Sequence, residues 1–201
     1  MKKFALILFF GFLANHFAFA QPVAGQKYLE LRQLSFNGIE RNANGVFGFG
    51  NNRDYQVSTT FGMGKMLTEN YSAGALLTLG YTLNETQNII NEAYQFGLQV
   101  YGRRWYDLSN KFKLHADMQA GYLGQKPGWA SILQGYDQLQ LSLVPGISWF
   151  FHPRWAFQAR VPLLSLNVSR SYANDVTTTN ADLRFNPNLL APNWGMTFWL
   201  K

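Results

Sequence analysis

The sequence predicts an all-β fold: a single antiparallel transmembrane β-barrel of about eight strands, after an N-terminal signal peptide. Three observations carry the prediction. Apolar and polar residues alternate with a period of two through most of the chain, over stretches of about ten residues, the length of a strand that crosses a bilayer. Beyond the leader, no stretch reaches the roughly eighteen unbroken apolar residues that a spanning helix needs. Short turns and longer polar connections alternate along the chain, as in a barrel whose two ends face different compartments.

Residues 1–20 read as the signal peptide, and 21–201 as the barrel domain. Lys2 and Lys3 form a basic start, 4–13 is apolar, and Ala18-Phe19-Ala20 precedes Gln21-Pro22 as a small-residue cleavage site. The apolar run is too short for a membrane anchor, and Asn15 and His16 interrupt the residues after it. The 201 residues suit one domain, and the absence of Cys excludes disulfides and a lipid-modified cysteine. The formal charge of +6 falls to roughly +4 without Lys2 and Lys3, and the basic residues never cluster, so no nucleic-acid partner is expected. Hydrophobic residues make up 47% of the chain, yet its mean hydropathy is slightly negative, which suits spans that alternate.

The first strand is expected over 28–39. Leu29 and Leu31 oppose Glu30 and Arg32, and the apolar side then passes to Leu34 and Phe36, which predicts a bulge near Arg32–Leu34. Residues 41–53, rich in Asn and Gly, read as a loop. The second strand covers 54–66, with Tyr55, Val57, Phe61 and Met63 on its apolar face. A turn at 68–70 leads to the third strand, 71–83, whose odd positions are apolar. Residues 85–92 read as a polar loop. The fourth strand, 93–106, presents Tyr94, Phe96, Leu98 and Val100 on one face and Gln95, Gly97 and Gln99 on the other. After a turn at 107–110, the fifth strand, 111–123, alternates cleanly, with Lys113, His115 and Asp117 opposite Phe112, Leu114 and Met118.

Residues 125–134 read as a loop. The hairpin over 137–163 comes next, with its turn at 152–154. Leu164, Leu166 and Val168 continue its second arm in shifted phase. Residues 171–182 read as a Thr- and Asn-rich loop, and 193–200 as the core of the last strand, starting nearer Arg184. The count is even, as closure requires.

Aromatic residues gather towards the short-turn end, where Tyr71, Trp105, Phe112, Trp149, Trp155 and Trp199 are expected to form an outward girdle at a membrane–water boundary, on the periplasmic side. Tyr81, Tyr94, Tyr122 and Tyr136 are expected to form a second belt at the other end.

These units, FGMGKMLTENYSAGALLTLGY, QVYGRRWYDLSNKFKLHADMQAGY and VPGISWFFHPRWAFQARVPL, together with the leader, resemble the small OmpA/OmpX-like outer-membrane β-barrel family over nearly the whole mature chain. The resemblance implies a place in the bacterial outer membrane, lipid as surroundings, and the barrel-assembly machinery as a partner. It implies no cofactor. Members end on an aromatic residue; here Phe198 and Trp199 stand just before Leu200 and Lys201.

Glu30, Arg32, Lys113, His115, Asp117 and Arg160 fall on the non-apolar faces and are expected to form a polar network inside the barrel, because isolated buried ions are very costly. No catalytic or metal site is expected. His115 and Asp117 share a face, but no Ser is near them in sequence, and the other His of the mature chain, His152, falls in a turn. The expected role is therefore non-enzymatic: envelope integrity, or recognition of an extracellular partner through the loops, with no wide pore. The alternatives are a lipid- or lipopolysaccharide-modifying enzyme in the same fold, a narrow gated pore, and a soluble secreted calycin-like barrel with a greasy interior.

Overall fold

The computed structural model describes residues 22–42, 51–86, 89–128, 135–173, 176–185 and 192–200. The expected signal peptide, 1–20, lies outside them. The described residues form ten strands and no helix: β1 Lys27–Asn42, β2 Asn51–Met66, β3 Tyr71–Thr86, β4 Ile89–Asp107, β5 Phe112–Pro127, β6 Gly135–His152, β7 Trp155–Arg160, β8 Leu164–Ala173, β9 Val176–Phe185 and β10 Asn193–Trp199. All neighbours pair antiparallel. β7 and β8 share one position in the wall beside β6, and β9 and β10 share the next. The wall thus has eight positions, and pairing of Tyr28 with Trp199 and of Leu31 with Met196 closes it.

Two irregularities set which way side chains point. The β1–β2 register shifts between Leu31 and Gln33, so the expected bulge falls at Arg32 and turns Leu34 and Phe36 outward. A second shift falls between Phe150 and His152, just after Phe150, which keeps the inward parity of Ser148 while Trp149 and Phe151 stay outward. Between β7 and β8, residues 161–163 leave regular strand geometry, yet Val161 and Leu163 still donate to the carbonyls of Pro145 and Leu143, at 2.9 and 3.0 Å. Across this break the outward set passes from Trp155 and Phe157 to Leu164, Leu166 and Val168.

The connections differ from the expected loops. At one end, the turn end, they span 67–70, 108–111 and 153–154. At the other, the open end, β3 runs to Thr86 and β4 starts at Ile89, while β8 runs to Ala173 and β9 starts at Val176. Most of 85–92 and 171–182 is therefore paired strand, not loop. Thr177, Thr178 and Thr179 are all exposed, so this ribbon is wetted on both faces and shows no apolar alternation. Its β-branched threonines still favour extended backbone. The first and third expected loops shrink as well, since β1 reaches Asn42, β2 starts at Asn51, β5 reaches Pro127 and β6 starts at Gly135.

The molecule is inside-out by the standard of a soluble protein. Met63, Phe96, Leu98, Val100, Met118 and Leu139 are each at least half exposed, whereas Glu30, Arg103, Asp117, Gln158 and Arg160 are buried. A soluble barrel for an apolar ligand requires the opposite polarity.

At the turn end the interior is stoppered by Tyr28, Met66, Tyr101, Trp105, Phe150 and Trp199. Trp105 and Trp199 are therefore corrected from the outward girdle to the interior, at 2% and 1% exposure. Their rings lie 6.1 Å apart, and Trp199 packs 4.5 Å from Tyr28, centroid to centroid. Gly64 and Gly74 make room for this stopper, because a Cβ at either would collide with the Tyr28 or Tyr101 ring. Tyr71, Phe112, Trp149 and Trp155 do point outward. In the second belt Tyr94 and Tyr122 are outward, and Tyr81 lies 5.4 Å from Tyr94, whereas the Tyr136 hydroxyl accepts from the inward Gln95 at 3.4 Å.

Candidate functional site

The interior is layered. Above the aromatic stopper lies a cluster of charges, and above that a polar cup. The charges come from four strands spread around the wall, of which only β4 and β5 are adjacent: Glu30 and Arg32 from β1, Arg103 from β4, Asp117 from β5 and Arg160 from β7.

Arg103 is the hub. It donates to both oxygens of Asp117, from Nε to Oδ1 at 2.6 Å and from Nη2 to Oδ2 at 2.8 Å, and Nη2 also reaches Glu30 Oε1 at 2.7 Å. Register explains the first pair, since Arg103 stands directly opposite Asp117. Arg32 donates to Glu30 Oε2 at 3.0 Å, and its Nη2 lies 3.0 Å from Asp117 Oδ2 without the angle of a hydrogen bond. Arg160 adds a longer contact, Nη1 to Glu30 Oε1 at 3.3 Å. With its amide nitrogen turned to Glu30 Oε1, Gln158 donates there at 2.9 Å and accepts from Thr197 at 2.8 Å. The Tyr101 ring lies under the Arg32 guanidinium at 4.2 Å, and the Trp105 ring lies 4.9 Å from that of Arg103. Below, Ser72 Oγ accepts from the Tyr28 hydroxyl and from Trp105 Nε1, each at 3.0 Å. Every charge in this layer therefore has an opposite partner, which is what makes burial of ions tolerable.

Of the six residues expected in the interior network, Glu30, Arg32, Asp117 and Arg160 come together with Arg103. Lys113 is buried but turns to Asp107, at 2.7 Å. His115 stands apart too. Its Nδ1 lies 3.2 Å from Ser148 Oγ, and its Nε2 is buried without a partner. The carboxylate of Asp117 is taken up by arginines rather than by the histidine. Ser148 and His115 are shut inside the wall at 0% and 2% exposure. A nucleophilic serine needs a base, an orienting group and an approach for substrate, and this pair has neither of the last two. Among the described residues, no group of three or more His, Asp or Glu could hold a metal ion.

Between the charge layer and the open end lies a cavity of about 370 Å³. Arg32 and Arg160 form its floor, and its wall is mainly Gln, Ser and Thr, including Gln56, Gln99, Gln119 and Gln140. Its polar lining and size suit water or a small polar group.

Sequence reasoning missed Arg103, Tyr101 and Trp105, although the signal was present. Gln95, Gly97 and Gln99 read as inward, and a period of two carries that face on to Tyr101, Arg103 and Trp105. The same parity turns Trp199 inward with Gly195 and Thr197. Grouping aromatics by closeness to the turns overrode it. Ser148 could not be paired with His115 from sequence, because the contact depends on the β5–β6 register.

No family model matches the chain, and no curated protein matches it.

Proposed function

We propose that the protein is a non-enzymatic barrel of the bacterial outer membrane, with a role in envelope integrity or in surface interaction. The observation that carries this reading is the inverted polarity of the wall. An apolar band of Leu, Phe, Val and Met rings the outside, while paired charges fill the inside. Such a surface is far larger than the apolar patches soluble monomers tolerate, and lipid is the surroundings that suit it. Tyr71, Phe112, Trp149 and Trp155 point outward at the turn end, which favours that end as one membrane–water boundary. The leader suits export and the barrel-assembly machinery.

The interior favours a closed barrel over a channel. Aromatic rings cover the turn end, and ion pairs lie across the middle. Contact with an extracellular partner, in this reading, falls to the paired ribbons at the open end, above all β8–β9, rather than to loose loops.

The test is direct. Purified protein refolded into liposomes should float with them and migrate differently on gels before and after boiling. In planar bilayers it should give no large stable conductance. A chain that stays in buffer without detergent would overturn the membrane reading, and a large steady current would overturn the closed interior.

A further inference from the structure

The charge layer beneath the cup carries more positive charge than its own acids balance. Among the described residues, three guanidinium groups, of Arg32, Arg103 and Arg160, share two carboxylates, of Glu30 and Asp117, which leaves one positive charge in excess. Lys113 is balanced separately by Asp107. The excess faces the cup, because Arg32 and Arg160 line it and no acid is among its described lining residues.

The two floor residues are also short of acceptors. Arg160 makes a single 3.3 Å contact with Glu30, and its Nη2 is buried without a hydrogen-bond partner. Arg32 Nη2 is likewise buried without one, although Asp117 Oδ2 lies 3.0 Å away. Arg160 and Arg32 are only 2% and 7% exposed, and a buried cationic donor left unpaired is costly. The wall also makes room for Arg160. Its side chain passes over Gly146 and Gly195, where an added Cβ would collide with its Cγ and its Nη2. Higher up, the cup is lined by six glutamines and Asn193, yet none of their amide oxygens reaches Nη2 of either arginine.

We infer that the cup is a binding site for one small hydrophilic oxyanion, a carboxylate or phosphate group on a body no larger than a simple sugar. The oxyanion sits at the floor, where it cancels the excess charge and accepts from the free nitrogens of Arg160 and Arg32. Forked guanidinium donors match two oxygens of one carboxylate or phosphate. The amides of Gln99, Gln119 and Gln140 donate as well as accept, so they suit hydroxyl groups on the rest of the molecule. A cavity of about 370 Å³ has room for a body of that size. The charge layer and the aromatic stopper close the cup below, so the ligand is held rather than passed through. The site asks for no bond-making step, and it concerns the interior alone, whatever surrounds the wall.

The test uses the full-length barrel. It is refolded in detergent in the presence of radiolabelled glucuronate and dialysed to equilibrium in chloride buffer of fixed ionic strength, with detergent alone as the reference. Saturable binding that approaches one glucuronate per barrel is expected, displaced by inorganic phosphate but not by glucose. Gln99→Glu keeps the size of the side chain and breaks no ion pair of the layer, yet it gives the cup a carboxylate of its own. Like-charge repulsion should weaken binding by about tenfold or more. Arg160→Gln removes the excess charge itself. It should weaken binding comparably, while its urea midpoint without glucuronate should be no lower than that of the parent chain. The gel shift on boiling checks that each variant is folded. No saturable binding by the folded barrel, or equal displacement by glucose, overturns the site. Unchanged binding by a folded Gln99→Glu variant overturns it too. A lower urea midpoint for Arg160→Gln without glucuronate would make Arg160 a structural counter-ion of Glu30 and overturn the excess charge on which the site rests.

Discussion

Arg103 touches both buried carboxylates of the interior, and its loss should be felt more than that of any other charge. Removing one partner of a buried ion cluster leaves uncompensated charge, at a cost of about 3–5 kcal/mol. Arg103→Met is expected to lower stability by that amount in urea unfolding from liposomes, because Asp117 loses two charge-assisted hydrogen bonds and Glu30 loses one, with Arg32 the cation left between them. Ser72 is a smaller case of the same logic. Its hydroxyl is the acceptor for both Tyr28 and Trp105. Ser72→Ala leaves two buried donors without it, and about 1–3 kcal/mol should be lost in the same assay. Residue types alone placed Glu30, Arg32, Asp117 and Arg160 inside. They did not reveal that Lys113 turns aside to Asp107, because that choice depends on which strand end lies within reach.

At the scale of elements, parity decides what each strand shows to either side, and β4 is the test case. Its inward set ends in Tyr101, Arg103 and Trp105, and its outward set runs from Tyr94 through Val100 to Tyr106. Single-tryptophan variants should separate the two faces. Trp149, Trp155 and Trp194 should be quenched by brominated acyl chains, whereas Trp105 and Trp199 should be shielded. Val100 lies midway between Tyr94 and Tyr106 on the outward face, so Val100→Arg should cost about 2–4 kcal/mol, the amount for a cation at the bilayer midplane. Unchanged unfolding of that variant would count against lipid on this face. The ribbons of β3–β4 and β8–β9 carry a different lesson. Alternation marks a strand only where its two faces meet different surroundings. Thr177 to Thr179 have water on both faces, so only their backbone pairing reveals the strand.

For the whole molecule, closure is both the source of stability and the limit on function. A closed antiparallel wall satisfies nearly all its backbone internally, the requirement for crossing lipid. The interior of so small a barrel is filled by side chains, so transport through its axis is not its natural use. What remains available is the outer rim. The sequence by itself determined the strand period, the even count, the bulge at Arg32 and the polarity of the two faces, because each depends on near neighbours in the chain. Only the tertiary structure decided that Arg103 joins Glu30 to Asp117 and that Trp105 and Trp199 seal the interior. Those contacts join strands far apart in the chain, and their register is set by closure of the whole wall.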